Sequence, residues 1–402
     1  MFGSKVWAKF VVMLLVLALT VPLLVACDDD DDKMNTPIAA KTTEPTETEV
    51  SDEPVKIGIL AEWTGPAAMS GLLLDRALDA VNYKIEQQGG ILGGRSIDFV
   101  KFDEGGDVAK LIPGWTKLAT QDKVSAVTLG GFTSSLHVVS SEKAEEFQVP
   151  YFNVGPMPDN LTDWPYTIRG SMASSTNLAK RCTQFVLDQI KPETVAFLHW
   201  DLGEVREDVK IATELLEAGG VEVTDRLSVP YGTTDFSTYL IKIKHMDADL
   251  LMMYISTPDG CQTIFKQIGE IGGLGDIQLF SPYASSSLGA ISTIPGADGT
   301  YHWNLWVPGM PTTEARQWES DFEEATGKKP VLEAMMYITV MTAVQAIDQA
   351  GSDDPQTVRD YAKSGKLHWT TPAGPMTVGP DGDNDLRGSI FQVQNGQFVL
   401  VD

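Results

Sequence analysis

The hydrophobic positions of this chain alternate between two spacings from residue 55 onward. Short continuous apolar runs such as 55–60, Val-Lys-Ile-Gly-Ile-Leu, are typical of buried strands, whereas residues 70–88 repeat apolar positions at helical spacing. A Gly89-Gly90 pair then ends that helix. The same reading predicts strands at 95–102, 124–129, 150–154, 195–199, 221–227, 249–255 and 278–281, and helices at 107–120, 134–147, 174–190, 204–218, 235–245 and 259–271.

This alternation predicts an α/β protein built from two successive units. Strands separated by helices of this length form parallel sheets with right-handed crossovers, and each series has the size of an ordinary domain. The segment 300–366 adds helices, and the tail 376–401 has the turn residues of hairpin strands. In open α/β sheets, ligands bind outside the carboxyl ends of the strands. The expected positions of a site are therefore the turns 62–70, 130–135, 155–158, 200–204, 256–259 and 282–287.

The first 26 residues have the pattern of an export signal. Lys5 and Lys9 precede an apolar run, 10–26, that is short for a membrane-spanning helix. The run ends in Leu24-Val25-Ala26-Cys27, which matches the bacterial lipobox. We expect 1–26 to be a lipoprotein signal peptide and the thiol of Cys27 to accept the lipid. The alternative is an ordinary signal peptide followed by an accidental cysteine.

Residues 27–54 separate this signal from the folded body. Five aspartates follow Cys27, and a Thr/Glu/Pro-rich stretch continues to Glu53. Such a sequence buries little apolar area and is expected to be a disordered, acidic tether. The body is accordingly expected outside the cytoplasm, lipid-anchored at the outer face of the cytoplasmic membrane or in the periplasm.

Charge and cysteine content narrow the possible functions. The chain carries 55 acidic and 30 basic residues, a net charge of −25. Nucleic-acid binding is not expected, because phosphate contacts need clustered Lys and Arg. The three cysteines lack CxxC spacing. Cys182 and Cys261 are either a disulfide or two buried thiols, and the sequence leaves both open.

An ordered set of motifs resembles one known family. The set consists of 55–60 followed by Thr64-Gly-Pro, Gly-Gly-Ile-Leu-Gly-Gly-Arg at 89–95, Gly-Gly-Phe-Thr-Ser-Ser at 130–135, Val-Pro-Tyr-Phe at 149–152, Asp-Phe-Ser-Thr at 235–238 and Pro-Asp-Gly-Asp at 380–383. The chain resembles the type I periplasmic binding proteins of ABC importers, in the leucine/isoleucine/valine-binding branch. The similarity spans roughly residues 55–400.

The resemblance implies a fold and a mechanism. The fold is two Rossmann-like lobes with parallel sheets flanked by helices, joined by a three-segment hinge near Arg169, Gly299 and Thr371. Lobe 1 is then 55–169 plus 300–370, and lobe 2 is 170–299 plus 371–402. The lobes are expected to close on a small polar solute and present it to permease subunits in the membrane. The protein is expected to be a monomer without cofactors, metal or catalytic residues.

The resemblance also places a ligand wall at the strand-end turns. In relatives that bind amino acids, hydroxyls and N–H groups at a helix start hold the ligand carboxylate, a role that Thr133 and Ser134 match here. Simple capping of helix 134–147 is the alternative for both. The expected ligand-binding residues are Trp63, Ser70, Phe132, Thr133, Ser134, Gly155, Pro156, Met157, Asp201, Thr257 and Tyr283. For each aromatic residue among them, packing within a lobe is the alternative.

Several positions depart from the family pattern. Met157 stands where a threonine contacts the α-amino-acid head group, and Ser256-Thr257 replaces an aromatic residue. Tyr283 stands where relatives place the acid that pairs with the ligand ammonium. Unless Asp201 or another nearby acid, Glu204 or Asp259, supplies that partner, the ligand is expected to be an organic acid, an amide or another polar molecule with an apolar part.

Three rival functions fit less well. A hydrolase would need a nucleophile motif, but the chain has no Gly-x-Ser-x-Gly, and its five histidines are scattered. Residues 381–385, Asp-Gly-Asp-Asn-Asp, look like a calcium loop, yet position twelve is Gln392 instead of glutamate. A ligand sensor that docks on a separate membrane receptor would keep the same fold, and the sequence does not separate it from an importer component.

Overall fold

The computed structural model describes residues 52–65, 68–130, 134–155, 158–283 and 291–402. The predicted signal peptide, Cys27 and nearly all of the tether lie outside the described residues. Within the described part of the chain, no helix is both long enough and apolar enough to cross a membrane.

The described residues alternate between strands and helices as the sequence predicts. The strands are β1 Val55–Ala61, β2 Ile97–Asp103, β3 Ala126–Leu129, β4 Tyr151–Asn153, β5 Thr167–Arg169, β6 Thr194–Trp200, β7 Glu222–Val229, β8 Leu250–Tyr254, β9 Gln278–Ser281, β10 Tyr301–Asn304, β11 His368–Thr371, β12 Gly374–Thr377, β13 Ser389–Gln394 and β14 Gln397–Leu400. The helices are α1 Ala68–Gln87, α2 Val108–Thr116, α3 Ser134–Phe147, α4 Ser175–Phe185, α5 Gly203–Ala218, α6 Ser237–Lys244, α7 Pro258–Glu270, α8 Thr313–Thr326, α9 Glu333–Ala350 and α10 Pro355–Ala362.

The first lobe contains a five-stranded, wholly parallel sheet. Its strand order is β2-β1-β3-β4-β5, so β1 lies between β2 and β3. That position explains why β1 is a continuous apolar run, since a central parallel strand is covered by helices on both faces. Helices α8 and α9 return to this lobe and pack against α1. Almost every residue of α9 is buried, which accounts for its apolar sequence.

The second lobe contains a seven-stranded mixed sheet, and its antiparallel edge is formed by hairpin strands of the kind that the sequence predicts for the tail. Its order is β14-β13-β10-β9-β8-β6-β7. The strands from β7 to β10 are parallel, but β13 runs antiparallel to β10 and β14 runs antiparallel to β13. The antiparallel edge forms because the Asn395-Gly396 turn links β13 directly to β14, and a two-residue hairpin joins only antiparallel strands.

Three segments cross between the lobes, and two of them lie later than predicted. The first follows β5, near Arg169. The crossing expected at Gly299 comes after Asn304, because β10 pairs with β9 and β13 in the second sheet. The crossing expected at Thr371 comes just before β13, because Thr371 belongs to the β11–β12 hairpin, which contacts α9. Residues 301–304 therefore lie in lobe 2, and 371–377 pack with lobe 1.

The crossing segments hold one another in place. The Asn384 side chain donates to the carbonyls of Arg169 (3.1 Å) and Ser171 (3.2 Å). The indole N–H of Trp303 donates to the carbonyl of Arg387 at 2.9 Å. At Gly388 the backbone passes so close to Trp303 that a Cβ would lie 2.6 Å from the ring, so only glycine fits there.

Candidate ligand-binding site

The turn after β1 is tied to the turn after β2 by one carboxylate. Asp103 accepts hydrogen bonds from the backbone N–H groups of Trp63 (3.0 Å), Thr64 (3.2 Å) and Gly105 (3.1 Å), and from the Thr64 hydroxyl (2.7 Å). Partial burial works to raise the pKa of Asp103, but these donors outweigh it and hold the pKa below its ordinary value. A charged carboxylate therefore fixes this rim of the first sheet.

Trp63 and Ser70, two of the predicted ligand residues, are placed at this rim. The half-buried Trp63 donates its indole N–H to Asp75 at 3.0 Å, and the Lys101 ammonium lies 5.8 Å from its ring centroid. Ser70 is buried in the first turn of α1. Both residues follow the carboxyl end of β1, which is the position that the strand-end rule assigns to a ligand wall.

The predicted anion anchor lies at the start of α3. Phe132 and Thr133 lie outside the described residues, as does the side chain of Ser134. The helix behind them is well fixed: His137 Nδ1 lies 2.5 Å from the Tyr151 hydroxyl. Trp115 donates its indole N–H to Ser140 at 3.0 Å. Helix α3 thus starts at the carboxyl end of β3 and is anchored on β4 and α2.

The next turn follows β4. Gly155 has a φ of +89°, a conformation that glycine adopts without strain. Pro156 and Met157 lie outside the described residues. At the end of β4, the side-chain amide of Asn153 is fully buried, and neither its oxygen nor its nitrogen has a hydrogen-bond partner among the described residues. Such an amide is a candidate for binding an ordered water.

A buried acidic pair that was not predicted from the sequence, Glu62 and Glu104, lies at the first sheet. Glu104 follows β2 directly, is fully buried and accepts the Gly106 N–H at 2.5 Å. Burial raises the pKa of Glu104 to about 7; the Gly106 N–H opposes this shift, and the charge of buried Glu62 adds to it. Gly106 has no room for a side chain, because a Cβ would lie 2.8 Å from the Glu62 carboxyl carbon. The sequence feature that could have indicated this pair is Asp103-Glu104 at the end of a strand. The turn that follows β2 was not among the expected positions of a site.

Tyr283 lies at the carboxyl end of β9 in the second sheet. It is buried, and its hydroxyl donates to Asp208 Oδ2 at 2.6 Å. Its ring packs edge-on against Tyr254, the last residue of β8, with centroids 5.3 Å apart. Asp208 was not predicted, although it stands on the apolar face of α5 between buried Val205 and Val209. An acid on that face was the signal that could have identified it.

The remaining predicted residues of the second lobe lie at the rim. Asp201 is half exposed and pairs with Arg206. Thr257 immediately precedes α7 and is partly buried, and Asp259 in the first turn of α7 is exposed. Two aromatic side chains that the sequence analysis did not select also end strands here. Trp200 closes β6 and packs edge-on against exposed Tyr231, with centroids 5.6 Å apart.

The two described cysteines do not form a disulfide. Both Cys182 and Cys261 are buried thiols, the first on α4 and the second on α7. Burial raises the pKa of Cys182 well above its ordinary value. Cys261 donates its thiol to the carbonyl of Ile255 at 3.2 Å. Of the two alternatives that the sequence left open, the structure favours the buried thiols.

The acidic loop 381–385 is used for charge pairing at the first crossing. Asp383 lies 2.8 Å from the side-chain Nε of Arg169, which is fully buried. Lys363 donates to the carbonyl of Thr162 at 2.9 Å, and Asp381 lies close enough to oppose the lowering of the Lys363 pKa by burial. Across the described ranges, no group of three or more His, Cys, Asp or Glu side chains is arranged to hold a metal ion.

Comparison with known proteins agrees with this architecture. Residues 54–397 match the model of the periplasmic binding protein family. The Leu/Ile/Val-binding protein of Escherichia coli strain K12 is 23% identical over 356 residues, which cover 85% of this chain and 90% of that protein.

Two solved structures of solute-binding proteins share the fold. One, from Rhodopseudomonas palustris BisB5 in complex with 3,4-dihydroxybenzoic acid, has a TM-score of 0.74 at 19% identity and covers 87% of this chain and 97% of its own. The other, from Streptococcus pneumoniae in complex with isoleucine, has a TM-score of 0.71 at 20% identity and covers 87% and 99%. The chain therefore belongs to the periplasmic binding protein family.

Proposed function

We propose that this protein captures a small organic acid outside the cytoplasm and delivers it to the permease of an ABC importer. We further propose that the ligand carries a carboxylate and an apolar or aromatic body but no α-ammonium group. The observation that carries the second proposal is the hydrogen bond from Tyr283 to Asp208. It turns the hydroxyl at the end of β9 toward the interior of the lobe.

The first lobe supplies the expected anchor for the carboxylate. Helix α3 starts at the carboxyl end of β3, where the positive end of the helix dipole and free backbone N–H groups favour an anion. The contacts of His137 and Trp115 hold that helix end in a fixed position, which reduces the entropy lost on binding. Thr133 and Ser134 are proposed to add hydroxyl donors.

The second lobe supplies an aromatic wall. An ammonium group in a desolvated cleft needs an acidic partner, and a tyrosine at position 283 does not provide that charge. Asp201 is half exposed and already paired with Arg206. Exposed Tyr231, whose ring packs edge-on against buried Trp200, instead provides apolar ring surface near the strand ends. Proteins of this fold bind both ligand types, as 3,4-dihydroxybenzoate and isoleucine illustrate, so the choice rests on these side chains.

A thermal-shift comparison tests the ligand class. We expect benzoate-type carboxylates to raise the unfolding temperature and leucine to leave it nearly unchanged. A ligand at a hundredfold excess over its Kd stabilises the folded state by about 2.7 kcal/mol. The double variant Thr133→Ala with Ser134→Ala should bind the carboxylate more weakly. A large shift with leucine would refute the proposed ligand class.

A control separates ligand binding from helix capping. Thr312 caps α8 by accepting the N–H of Ala315 at 3.2 Å. Thr312→Ala should lower stability as loss of a cap does, by about 1 kcal/mol, and leave carboxylate affinity unchanged. If the Thr133/Ser134 variant also keeps full affinity, the anion anchor lies elsewhere.

Export, anchoring and the absence of catalysis complete the proposal. Residues 1–26 are proposed to be removed and Cys27 to carry the lipid; the mass of the mature chain, compared with that of Cys27→Ser, checks both. A binding protein also returns its ligand unchanged, which mass spectrometry of the recovered ligand measures. If the protein binds its ligand but cells that hold the permease do not import that ligand, the receptor-docking alternative would be favoured.

A further inference from the structure

A cavity lies on the first lobe, between α1, α8, α9 and the β11–β12 hairpin. Its volume is about 300 Å³, at the lower end of the range for small-ligand pockets. Lys84, in the last turn of α1, lines it and lies roughly 24 Å along the helix axis from Ala68. Because α1 begins just after β1, the cavity is remote from the strand ends that form the candidate site.

Three aromatic rings line this cavity, and each is held by contacts within the protein. Trp318 packs edge-on against Trp306, with centroids 5.0 Å apart, and lies 5.5 Å from Tyr337. Trp369 donates its indole N–H to the Thr342 hydroxyl at 3.2 Å. The rings are therefore fixed before a ligand arrives, and a preformed pocket loses less entropy on binding.

Acidic groups outnumber basic ones around the cavity. Asp321 and Glu314 line it together with a single cation, Lys84. Asp321 Oδ1 accepts from Gln317 at 2.7 Å, but Oδ2 lies 3.5 Å from the Lys84 ammonium, which is long for a charged hydrogen bond. Burial raises the pKa of Tyr337 and the charge of Asp321 raises it further, in keeping with a negative potential at the rings.

We infer that this cavity binds a small organic ammonium ion with an apolar or aromatic body. The ammonium group would replace Lys84 as the partner of Asp321, while the ring faces of Trp318 and Trp369 attract the cation and cover the apolar body. A carboxylate ligand would instead meet a net negative rim. This site does not depend on the function proposed for the strand-end cleft.

Calorimetry with a matched pair of probes tests the inference. The probes are 2-phenylethylammonium and 3-phenylpropionate, which share the ring and differ in the sign of their charge. We expect saturable binding of the ammonium ion and binding of the acid at least about tenfold weaker. Asp321→Asn should weaken the ammonium ion about fivefold. Lys84→Met should tighten it, because Lys84 competes for the same carboxylate.

Asp225 offers a matched control. Its carboxylate pairs with the Lys242 ammonium at a distance of 2.9 Å, and neither residue lines this cavity. Asp225→Asn should leave ammonium binding unchanged. The Asp321 and Lys84 variants should also keep full affinity for cleft carboxylates, which separates this inference from the proposed function. Equal binding of the two probes, or an Asp321→Asn variant that binds like wild type, would overturn the inference. A Lys84→Met variant that binds more weakly would do the same.

Discussion

Each lobe buries a carboxyl group near the carboxyl ends of its strands, and the two lobes satisfy it differently. Glu104 of the first lobe accepts one backbone N–H, and its Oε1 has no hydrogen-bond partner in the part of the chain that the structure describes. Its neighbours Glu62 and Asp103 are also acidic. Asp208 of the second lobe accepts a short hydrogen bond from the hydroxyl of Tyr283.

The comparison of Glu104 with Asp103 shows that burial and hydrogen-bond donors act in opposite directions on the pKa of an acid at these strand ends. Burial raises the pKa of Glu104 to about 7, the Gly106 N–H opposes this shift, and the charges of Glu62 and Asp103 add to it. Asp103, one residue earlier, has four donors, and its pKa is lowered. The first lobe therefore buries an acid whose pKa is raised, while the second buries an acid that accepts a hydrogen bond from a tyrosine hydroxyl.

The largest expected effect is on the pH dependence of stability. The folded-state pKa of Glu104, about 7, lies above its ordinary value of 4.5. Folded wild-type protein therefore binds more protons than unfolded protein between these values, and it loses stability as the pH rises through this window. Integrated over the window, the loss is about 3 kcal/mol. Glu104→Gln should remove this loss, so its advantage over wild type should grow from pH 4.5 to pH 8 in urea unfolding.

Glu86→Gln is a suitable control for that experiment, since Glu86 is exposed on α1. It should leave the pH profile of unfolding as in wild type. If Glu104→Gln has the same pH profile as wild type, the first lobe does not hold a protonated acid, and the contrast between the lobes disappears.

A smaller effect is expected from removing the hydroxyl of Tyr283. Tyr283→Phe takes one donor from buried Asp208 and should lower the free energy of unfolding by about 2 kcal/mol. Tyr254→Phe removes a hydroxyl that is buried without a hydrogen-bond partner among the described residues, so it should cost little. Chemical denaturation of both variants measures the difference. Equal losses would mean that the Tyr283–Asp208 bond contributes nothing of its own.

The smallest effect is expected at the exposed acid of the second lobe. Asp201 and Arg206 are both about half exposed, and such pairs are screened by solvent and salt. Asp201→Asn should change the free energy of unfolding by less than about 1 kcal/mol, and added salt should reduce even that. A loss as large as that of Tyr283→Phe would show that exposure is a poor guide to the role of these acids.

Much of the fold could be predicted because its elements have strong local signals. The strand at 55–60 and the helix at 134–147 match β1 and α3 closely. Helix 107–120 was placed correctly, but its last part is a π-helical stretch, Lys117–Asp122. Periodicity does not distinguish this from an α-helix, because the change adds less than one residue per turn.

The candidate site was predicted less completely, since its acids are selected by three-dimensional neighbours. Glu104 was missed because its burial, and its contact with the Glu62 side of the sheet, depend on residues about 40 positions earlier in the chain. Asp208 was missed because its importance comes from Tyr283, 75 residues later. The tail hairpin was predicted from its turn residues, but the sheet that β10 joins was outside the reach of sequence, since a short strand carries no mark of which sheet it joins.

The sequence by itself determined the alternation of strands and helices, the division into two series and the family to which the chain belongs. These features follow from hydrophobic spacing and turn residues, which act over a few positions at a time. Only the tertiary structure decided that the pKa of Glu104 is raised, that Tyr283 donates to Asp208 and that Asp383 pairs with Arg169. Burial and hydrogen bonding set those properties, and both depend on residues that are distant in the chain and adjacent in space.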